Sequence, residues 1–147
     1  MADSDDIPTI TDLDVAAWVA EQRLVVERYL ISQRCEHSGV SLEPRWYLWP
    51  HLALWAVRSK ANPDVVGWWA ISGDVPTDYL TATRELRCNA DVLAAFAAVW
   101  FEAAITMARG EYAGIGKPDK VAELAPLLRT RAEILSELSE QLRLEDA

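Results

Sequence analysis

The sequence predicts an α+β fold in which three long helices pack around a small antiparallel β-hairpin sheet, in the order α-β-β-α-α. Three segments repeat apolar residues every three or four positions, and two apolar runs flank a short polar turn. The 147 residues are enough for one domain to bury a core without disulfides or metals. We therefore expect a single α+β domain over residues 11–147, preceded by a disordered acidic segment over residues 1–10.

The first helix is predicted to begin after Thr11 and to end near Gln33, before Gly39. Thr11 is a suitable N-cap, and Asp14 supplies the acidic partner of a weak capping box near the positive end of the helix. Side chains that could pack then recur at helical spacing over much of the circumference, among them Val15, Trp18, Gln22, Val25 and Tyr29.

Two strands, His51–Ser59 and Val65–Ser72, are predicted to pair as an antiparallel hairpin across the turn sequence KANPD. Both strands are apolar on both faces over most of their length, so we expect helices to cover part of each face. Residues 40–50 receive no assignment. Because proline cannot donate a ladder hydrogen bond, the strand should begin after Pro50 or lie at an edge of the sheet there.

The register of this hairpin follows from its turn. If Ser59 faces Val65, the further pairs are Trp55 with Trp69, Val57 with Gly67, and His51 with Gly73. Gly67 has no side chain, so an indole ring could then lie over it. A slip of one residue would exchange the faces of one strand relative to the other.

The second half of the chain is predicted to be helical after a long connection. That connection, GDVPTDYLTATRELRC, is expected to contain one helical turn after Pro76. The second helix is expected to have Asn89 or Asp91 as its cap and to end at Gly110. The third is expected to begin at Pro126, since proline suits the first helical position, and to continue almost to the end of the chain.

Seven tryptophans are the most unusual feature of the composition. Each indole can bury up to about 200 Å², roughly 5 kcal/mol of gross hydrophobic stabilisation, and a two-stranded sheet needs that support. Four are predicted to pack in the core: Trp18, Trp55, Trp69 and Trp100. The other three, Trp46, Trp49 and Trp68, lie beside polar or turn residues and could line a pocket or a partner surface.

A polar cluster is predicted at one end of the hairpin, where the register brings His51 beside Asp74. A histidine that is hydrogen-bonded to a carboxylate has a fixed tautomer, which suits acid–base chemistry. The candidate binding residues are Trp49, His51, Trp68, Asp74, Thr77, Asp78 and Tyr79, with His51 and Asp74 the weak catalytic candidates. A structural interpretation is favoured over a site, because Asp74 can form an Asx-turn and Thr77 or Asp78 can cap a helical turn.

The sequence contains no Gly-rich phosphate loop, no GxSxG elbow and no HExxH motif. Cys35 and His37 have no metal-ligand spacing around them, so we expect neither a metal nor a cofactor. Cys35 and Cys88 are predicted to be reduced thiols in a cytoplasmic protein. The acidic start of the chain has no signal-peptide pattern, and the apolar stretch over residues 46–57 is too short to span a membrane.

The whole net charge of −9 comes from the two ends of the chain, −5 from residues 1–14 and −4 from residues 133–147. An acidic chain repels phosphate backbones, so nucleic acid and anionic membranes are not the expected partners. Acidic ends usually serve solubility; a minority interpretation is that they meet a basic partner.

Three segments carry a resemblance: WVAEQRLVVERYL, the run from RWYLWPHLALW to SGDVPTDYL, and the part from GIGKP to LAPLLRTRAEIL. They are similar to a family of small bacterial proteins, domain-of-unknown-function family 4826, and the most specific part is residues 66–79. The resemblance implies a stand-alone bacterial cytoplasmic protein, and it implies no activity, cofactor or catalytic residues.

Three functions therefore stay open. The leading hypothesis is a non-enzymatic binding domain that uses the aromatic and polar end of the hairpin to contact a protein or small molecule; a homodimer is compatible with it. The second is a small-molecule enzyme with His51 and Asp74 as its acid–base pair. The third is an acidic inhibitor or immunity protein that blocks a basic toxin.

Overall fold

The structure is a computed structural model that describes residues 11–146, so the predicted disordered segment 1–10 lies outside the described residues. The helices are α1 (Asp12–Ser32), α2 (Asn89–Ala108) and α3 (Val121–Asp146), with a short 3-10 helix (Pro118–Lys120) before α3. The strands are β1 (His37–Val40), β2 (Trp46–Leu48), β3 (Leu52–Ser59), β4 (Val66–Gly73) and β5 (Asp78–Thr81). The α+β class is confirmed, but the antiparallel sheet has five strands where a hairpin was predicted.

The chain forms two units, the first ending at Asp78 and the second beginning at Tyr79. The first unit contains α1 and strands β1 to β4, and the second contains α2 and α3. Strand β5 spans the boundary in sequence. The single domain expected over residues 11–147 stays a prediction.

Helix α1 begins as predicted, with a capping box. The hydroxyl of Thr11 accepts a hydrogen bond from the backbone N–H of Asp14 at 3.1 Å, and the Asp14 carboxylate accepts one from the Thr11 N–H at 3.3 Å. These bonds satisfy donors that the first helical turn leaves unpaired. The helix ends at Ser32, and Arg34 follows in the left-handed region with a φ of 57°.

Arg23 ties α1 to the end of β1. Its Nε donates to the carbonyl oxygen of Ser41 at 3.0 Å and its Nη2 donates to that of Val40 at 2.8 Å, while Nη1 pairs with Glu27. Because the planar guanidinium presents its donors in a fixed fork, one side chain binds three acceptors at once. A helix and an edge strand of the first unit are therefore held together by polar contacts as well as by packing.

The β3–β4 register matches the prediction at the turn and departs from it beyond Arg58. At the turn, the Ser59 N–H donates to the Val65 carbonyl oxygen at 2.9 Å, as predicted. An irregularity between Val57 and Arg58 then shifts the pairing by one residue. The observed pairs beyond it are Val57 with Trp68, Ala56 with Trp69, Trp55 with Ala70, and Leu52 with Gly73.

This shift corrects the predicted roles of Gly67 and Trp69. A Cβ atom on Gly67 would lie 3.1 Å from the Cα of Ser59, so the glycine accommodates the neighbouring backbone and not an indole ring. Trp69 does not face Trp55 across the strands, because the extra residue in β4 moves it to the opposite face.

Three short strands escaped the sequence prediction. Strand β1 pairs with β3 through Val40 and Val57, and β2 pairs with β3 through Trp46 and Leu54. The Trp49–Pro50 peptide bond between β2 and β3 is cis, and β3 begins after this proline as expected. The helical turn predicted after Pro76 is wrong, since β5 occupies residues 78–81.

The core contains two of the four predicted tryptophans. Trp55 and Trp100 are fully buried, whereas Trp18 and Trp69 are only half-buried. The Trp55 indole N–H donates to the hydroxyl of the buried Ser72 at 3.1 Å, which satisfies both polar groups in the centre of the sheet. Trp69 instead makes a cation–π contact with Arg45, whose guanidinium carbon Cζ lies 5.7 Å from the centre of the Trp69 ring.

Helices α2 and α3 form an antiparallel pair in the second unit. The Ser139 hydroxyl, near the end of α3, donates to the Ala90 carbonyl oxygen at the start of α2 at 2.7 Å, and Arg143 pairs with Asp91 at 2.9 Å. The N-cap of α2 is Cys88 and not Asn89 or Asp91, and it makes no side-chain cap bond.

Helix α3 begins five residues before the predicted start. The 3-10 helix leads directly into Val121, and Pro126 lies inside α3. Proline lacks the N–H that would bond the carbonyl oxygen of Ala122 four residues earlier. Both residues are exposed, so water can bond that carbonyl.

Helix α2 is long and apolar enough to cross a membrane by length and composition, and half of its most apolar window is buried inside the protein. The core helices of soluble proteins meet the same criterion, because a helix buried on most sides is apolar on most sides. The nine buried residues of α2 include Phe96, Trp100 and Met107. The expectation that the protein does not contact a membrane stays a prediction.

Candidate functional site

His51 and Asp74 lie side by side at the end of the β3–β4 hairpin that is opposite its turn. The backbone N–H of Asp74 donates to the carbonyl oxygen of His51 at 2.8 Å, and Nδ1 of His51 lies 2.9 Å from Oδ2 of Asp74. The two side chains are 60% and 67% exposed, respectively. The predicted juxtaposition is present, with His51 opposite Asp74 where the predicted register had placed it opposite Gly73.

The backbone on both sides of His51 is fixed by short-range contacts. Its N–H donates to the carbonyl oxygen of Leu48 at 2.7 Å, which closes the turn between β2 and β3. On the neighbouring strand, Gly73 pairs with Leu52 and has a φ of +125°, a conformation that side chains disfavour. The position of the His51 side chain therefore rests on ordered backbone.

The hydrogen bond to Asp74 fixes how the imidazole can react. An ionised carboxylate has only acceptors, so a neutral His51 must carry its proton on Nδ1 to donate to Oδ2. Nε2 is then the acceptor that remains, able to take a hydrogen bond or a proton from a ligand. The arrangement could orient a ligand or act as a general base.

The other predicted site residues lie elsewhere or make other contacts. Trp68 precedes Gly73 by five positions along β4, roughly 16 Å at about 3.3 Å per residue, so the structure does not bring it to this end of the hairpin. The Asp78 carboxylate accepts a hydrogen bond from the Tyr29 hydroxyl at 3.3 Å. Thr77 is half-buried, and Tyr79 begins the second unit.

The turn before His51 adds apolar surface that the sequence interpretation missed. Leu48 is 42% exposed, and Pro50 is exposed beside it. We name Leu48, Pro50, His51 and Asp74 the hairpin-end surface. In the sequence, this surface corresponds to LWPH, in which Leu48 is followed by a turn at Trp49 and Pro50. The exposure of Leu48 is difficult to recognise without knowing that it ends β2.

Trp49 lies within this turn and is half-buried. Its indole nitrogen is buried and has no hydrogen-bond partner within the described part of the chain. An unpaired buried N–H disfavours the folded state by roughly 1–3 kcal/mol unless a water or a ligand bonds it. Trp49, one of the predicted aromatic site residues, therefore lies two residues before His51 and has an indole donor with no acceptor among residues 11–146.

Metal and thiol chemistry have little support among residues 11–146. Within that range, no group of three or more histidine, cysteine, aspartate or glutamate residues is placed to hold a metal ion. Cys35 and Cys88 are free thiols, and burial raises the pKa of Cys35 above its ordinary value. A raised pKa reduces the thiolate fraction at neutral pH, so Cys35 is a poor nucleophile.

Two open grooves lie away from His51 and Asp74. One, of about 780 Å³, runs along α1 beside residues 42–44, within the first unit. The other, of about 630 Å³, lies between the end of α2 and the beginning of α3, within the second unit. Neither groove is lined by a residue of the hairpin-end surface.

Comparison with known proteins identifies the family of the chain. No curated protein and no solved structure matches the chain. Residues 13–144 match the family described as "Domain of unknown function (DUF4826)", which confirms the resemblance seen in the sequence. That match covers nearly all of the described residues, including the hairpin-end surface, so the chain belongs to the DUF4826 family.

Proposed function

We propose that this protein is a non-enzymatic binding domain of the bacterial cytoplasm, and that its hairpin-end surface contacts the partner. The observation that carries the proposal is an exposed, hydrogen-bonded His51–Asp74 pair held on ordered backbone beside exposed Leu48 and Pro50. Interfaces combine apolar contacts with oriented polar groups, and ordered groups lose little entropy on binding.

Exposure of the pair favours binding over catalysis. Acid–base catalysis gains from a site that excludes water, because electrostatic interactions strengthen there. The His51 and Asp74 side chains are more than half exposed, and the two grooves are lined by other residues. A recognition surface needs no such enclosure before its partner arrives.

The polar groups define the chemistry of the partner. Asp74 offers carboxylate oxygens and a neutral His51 offers Nε2, so the surface presents acceptors. A complementary partner supplies donors, such as arginine, lysine or amide groups, together with an apolar contact for Leu48. The net charge of −9 would also attract a basic protein.

A matched pair of charge-neutralising variants tests the proposal. Asp74→Asn changes the hairpin-end surface, whereas Asp64→Asn makes the same change at the exposed turn on the opposite end of the same hairpin. Affinity capture from a bacterial lysate, with quantitative mass spectrometry, should recover a basic protein with the wild type and with Asp64→Asn. Recovery should fall about tenfold with Asp74→Asn or His51→Ala; equal recovery by all four proteins would refute the proposal.

Acid–base catalysis is the second candidate, and the 2.9 Å contact between Nδ1 and Oδ2 favours it. In this function Nε2 of His51 is the base and Asp74 orients the ring. A thermal-shift screen of wild type and His51→Ala against a metabolite panel tests it. A metabolite that stabilises only the wild type and is consumed by it would support catalysis; identical responses would remove the small-molecule site.

A further inference from the structure

The groove between α2 and α3 combines apolar lining with two arginines. Phe101, Ile105 and Pro126 are among its lining residues, and Arg109 and Arg129 also line it. Its volume of about 630 Å³ lies within the range of about 300–1,000 Å³ that small-molecule sites occupy. This site belongs to the second unit and does not depend on the hairpin-end surface.

Small side chains leave this end of the helix pair open. Four alanines line the groove, two from each helix: Ala104, Ala108, Ala122 and Ala125. Elsewhere the same two helices bury large side chains, including Phe96, Trp100 and Leu135. Ala108 and Ile105 are exposed, so apolar surface that a larger residue would cover remains in contact with water.

The two arginines differ in what they already bind. The Arg109 side chain has no hydrogen bond or ion pair with any residue in the described part of the chain. Arg129 has a 3.5 Å contact with Glu133, and both of these side chains are more than half exposed. Exposed pairs of this kind contribute little, so a ligand can compete for the guanidinium.

We propose that this groove binds a small anionic amphiphile, a molecule with an apolar body and a carboxylate. The apolar body would lie against the alanines, Phe101 and Ile105, and the carboxylate would pair with Arg109 and Arg129. Arginine forms short, bidentate hydrogen bonds with carboxylates, stronger than bonds between neutral groups. Arg109 and Arg129 are the charged residues among those that line the groove, so they are the feature that would select an anion.

Isothermal titration calorimetry with sodium decanoate tests the charge requirement. Decyltrimethylammonium bromide is the matched probe, because it has the same alkyl chain and the opposite charge. We expect saturable 1:1 binding of decanoate and at least tenfold weaker binding of the cation. No saturable heat with decanoate, or equal affinity for both probes, would overturn the proposal.

Two kinds of variant then locate the site. Arg109→Gln combined with Arg129→Gln should weaken decanoate binding about tenfold or more, while Arg84→Gln, an exposed arginine outside the groove, should leave it unchanged. Ala108→Leu should block the groove, whereas Ala98→Leu makes the same change on an exposed part of α2 outside it.

The controls also separate other occupants. Decanoate affinity that survives Ala108→Leu would place binding elsewhere and overturn the assignment. A concentration-dependent dimer by sedimentation velocity that Ala108→Leu abolishes, without decanoate binding to the wild type, would assign the groove to a second copy of the chain. Circular dichroism of each variant checks that the helices remain folded.

Discussion

A Cβ atom on Gly73 would lie 2.1 Å from the carbonyl oxygen of His51 and 2.8 Å from its carbonyl carbon. No residue with a side chain fits at position 73 unless β3 or β4 moves. The same close approach allows the Asp74 N–H to bond the His51 carbonyl oxygen. The geometry of the His51–Asp74 pair therefore depends on a glycine that contributes no functional group itself.

Gly73→Ala should destabilise the protein by about 3 kcal/mol or more, because it adds a backbone clash to the strain of a positive φ. Gly39→Ala is the matched control, since Gly39 has a φ of +142° and no atom within 4 Å of an added Cβ. That variant should show the strain alone, about 1–2 kcal/mol. Urea denaturation measures both; equal losses would mean that the clash relaxes freely.

Trp55→Ala should reduce the free energy of unfolding by about 3–5 kcal/mol, the range for large aromatic truncations in cores. Trp55 is fully buried, and Ser72 would lose its indole donor. Trp69→Ala should be milder, about 1–2 kcal/mol, because its ring is half-buried under Arg45 and leaves less apolar area to lose. The reverse order in urea titrations would contradict the observed register.

Asp91 should make stability depend on pH in the acid range. The hydrogen bond from the Arg87 backbone N–H lowers the pKa of Asp91 below 3.8; burial opposes this, and Arg143 lowers the pKa further. A lowered pKa in the folded state stabilises the protein above pH 3.8, and this contribution is lost as the pH falls through the folded value. Asp91→Asn should therefore reduce the fall in melting temperature as the pH decreases through the acid range. Glu140→Gln, at an exposed position, should not.

Ser139→Ala should destabilise the α2–α3 pair by about 1–2 kcal/mol. The Ser139 hydroxyl is buried and donates to the Ala90 carbonyl oxygen, which would be left without that donor. Ser136→Ala, at a half-buried position on the same helix, is the control and should change stability by less than about 0.5 kcal/mol. Differential scanning calorimetry of both variants measures the two stability losses, and equal losses would contradict this prediction.

The long helices and the central hairpin could be predicted because their signals are local. The capping box at Thr11 and the turn between Ser59 and Val65 each depend on residues a few positions apart. The short strands β1, β2 and β5 could not, since three or four residues show no reliable periodicity. The start of α3 was misplaced because Pro126 resembles a first helical residue, yet an exposed helix tolerates it.

The candidate site was only partly predictable, because the sequence does not show where the β3–β4 pairing shifts. One extra residue at the β3–β4 irregularity shifts the pairing, and no local signal marks where a strand gains a residue. His51 and Asp74 still come together, because the shift moved Asp74 directly opposite His51. Trp68 lies five positions before Gly73 along β4, so the structure does not bring it to His51 and Asp74. The exposed Leu48 required knowledge of β2.

The Arg23 guanidinium also has a consequence for self-association. β1 lies at an edge of the sheet, and its outward carbonyl groups are where the strand of another molecule would add. Arg23 donates to the carbonyl of Val40, the last residue of β1, and to that of Ser41 just after it, so both acceptors are already bonded. A helix side chain thus closes part of an otherwise open ladder against strand addition, fibre growth and exchange between molecules.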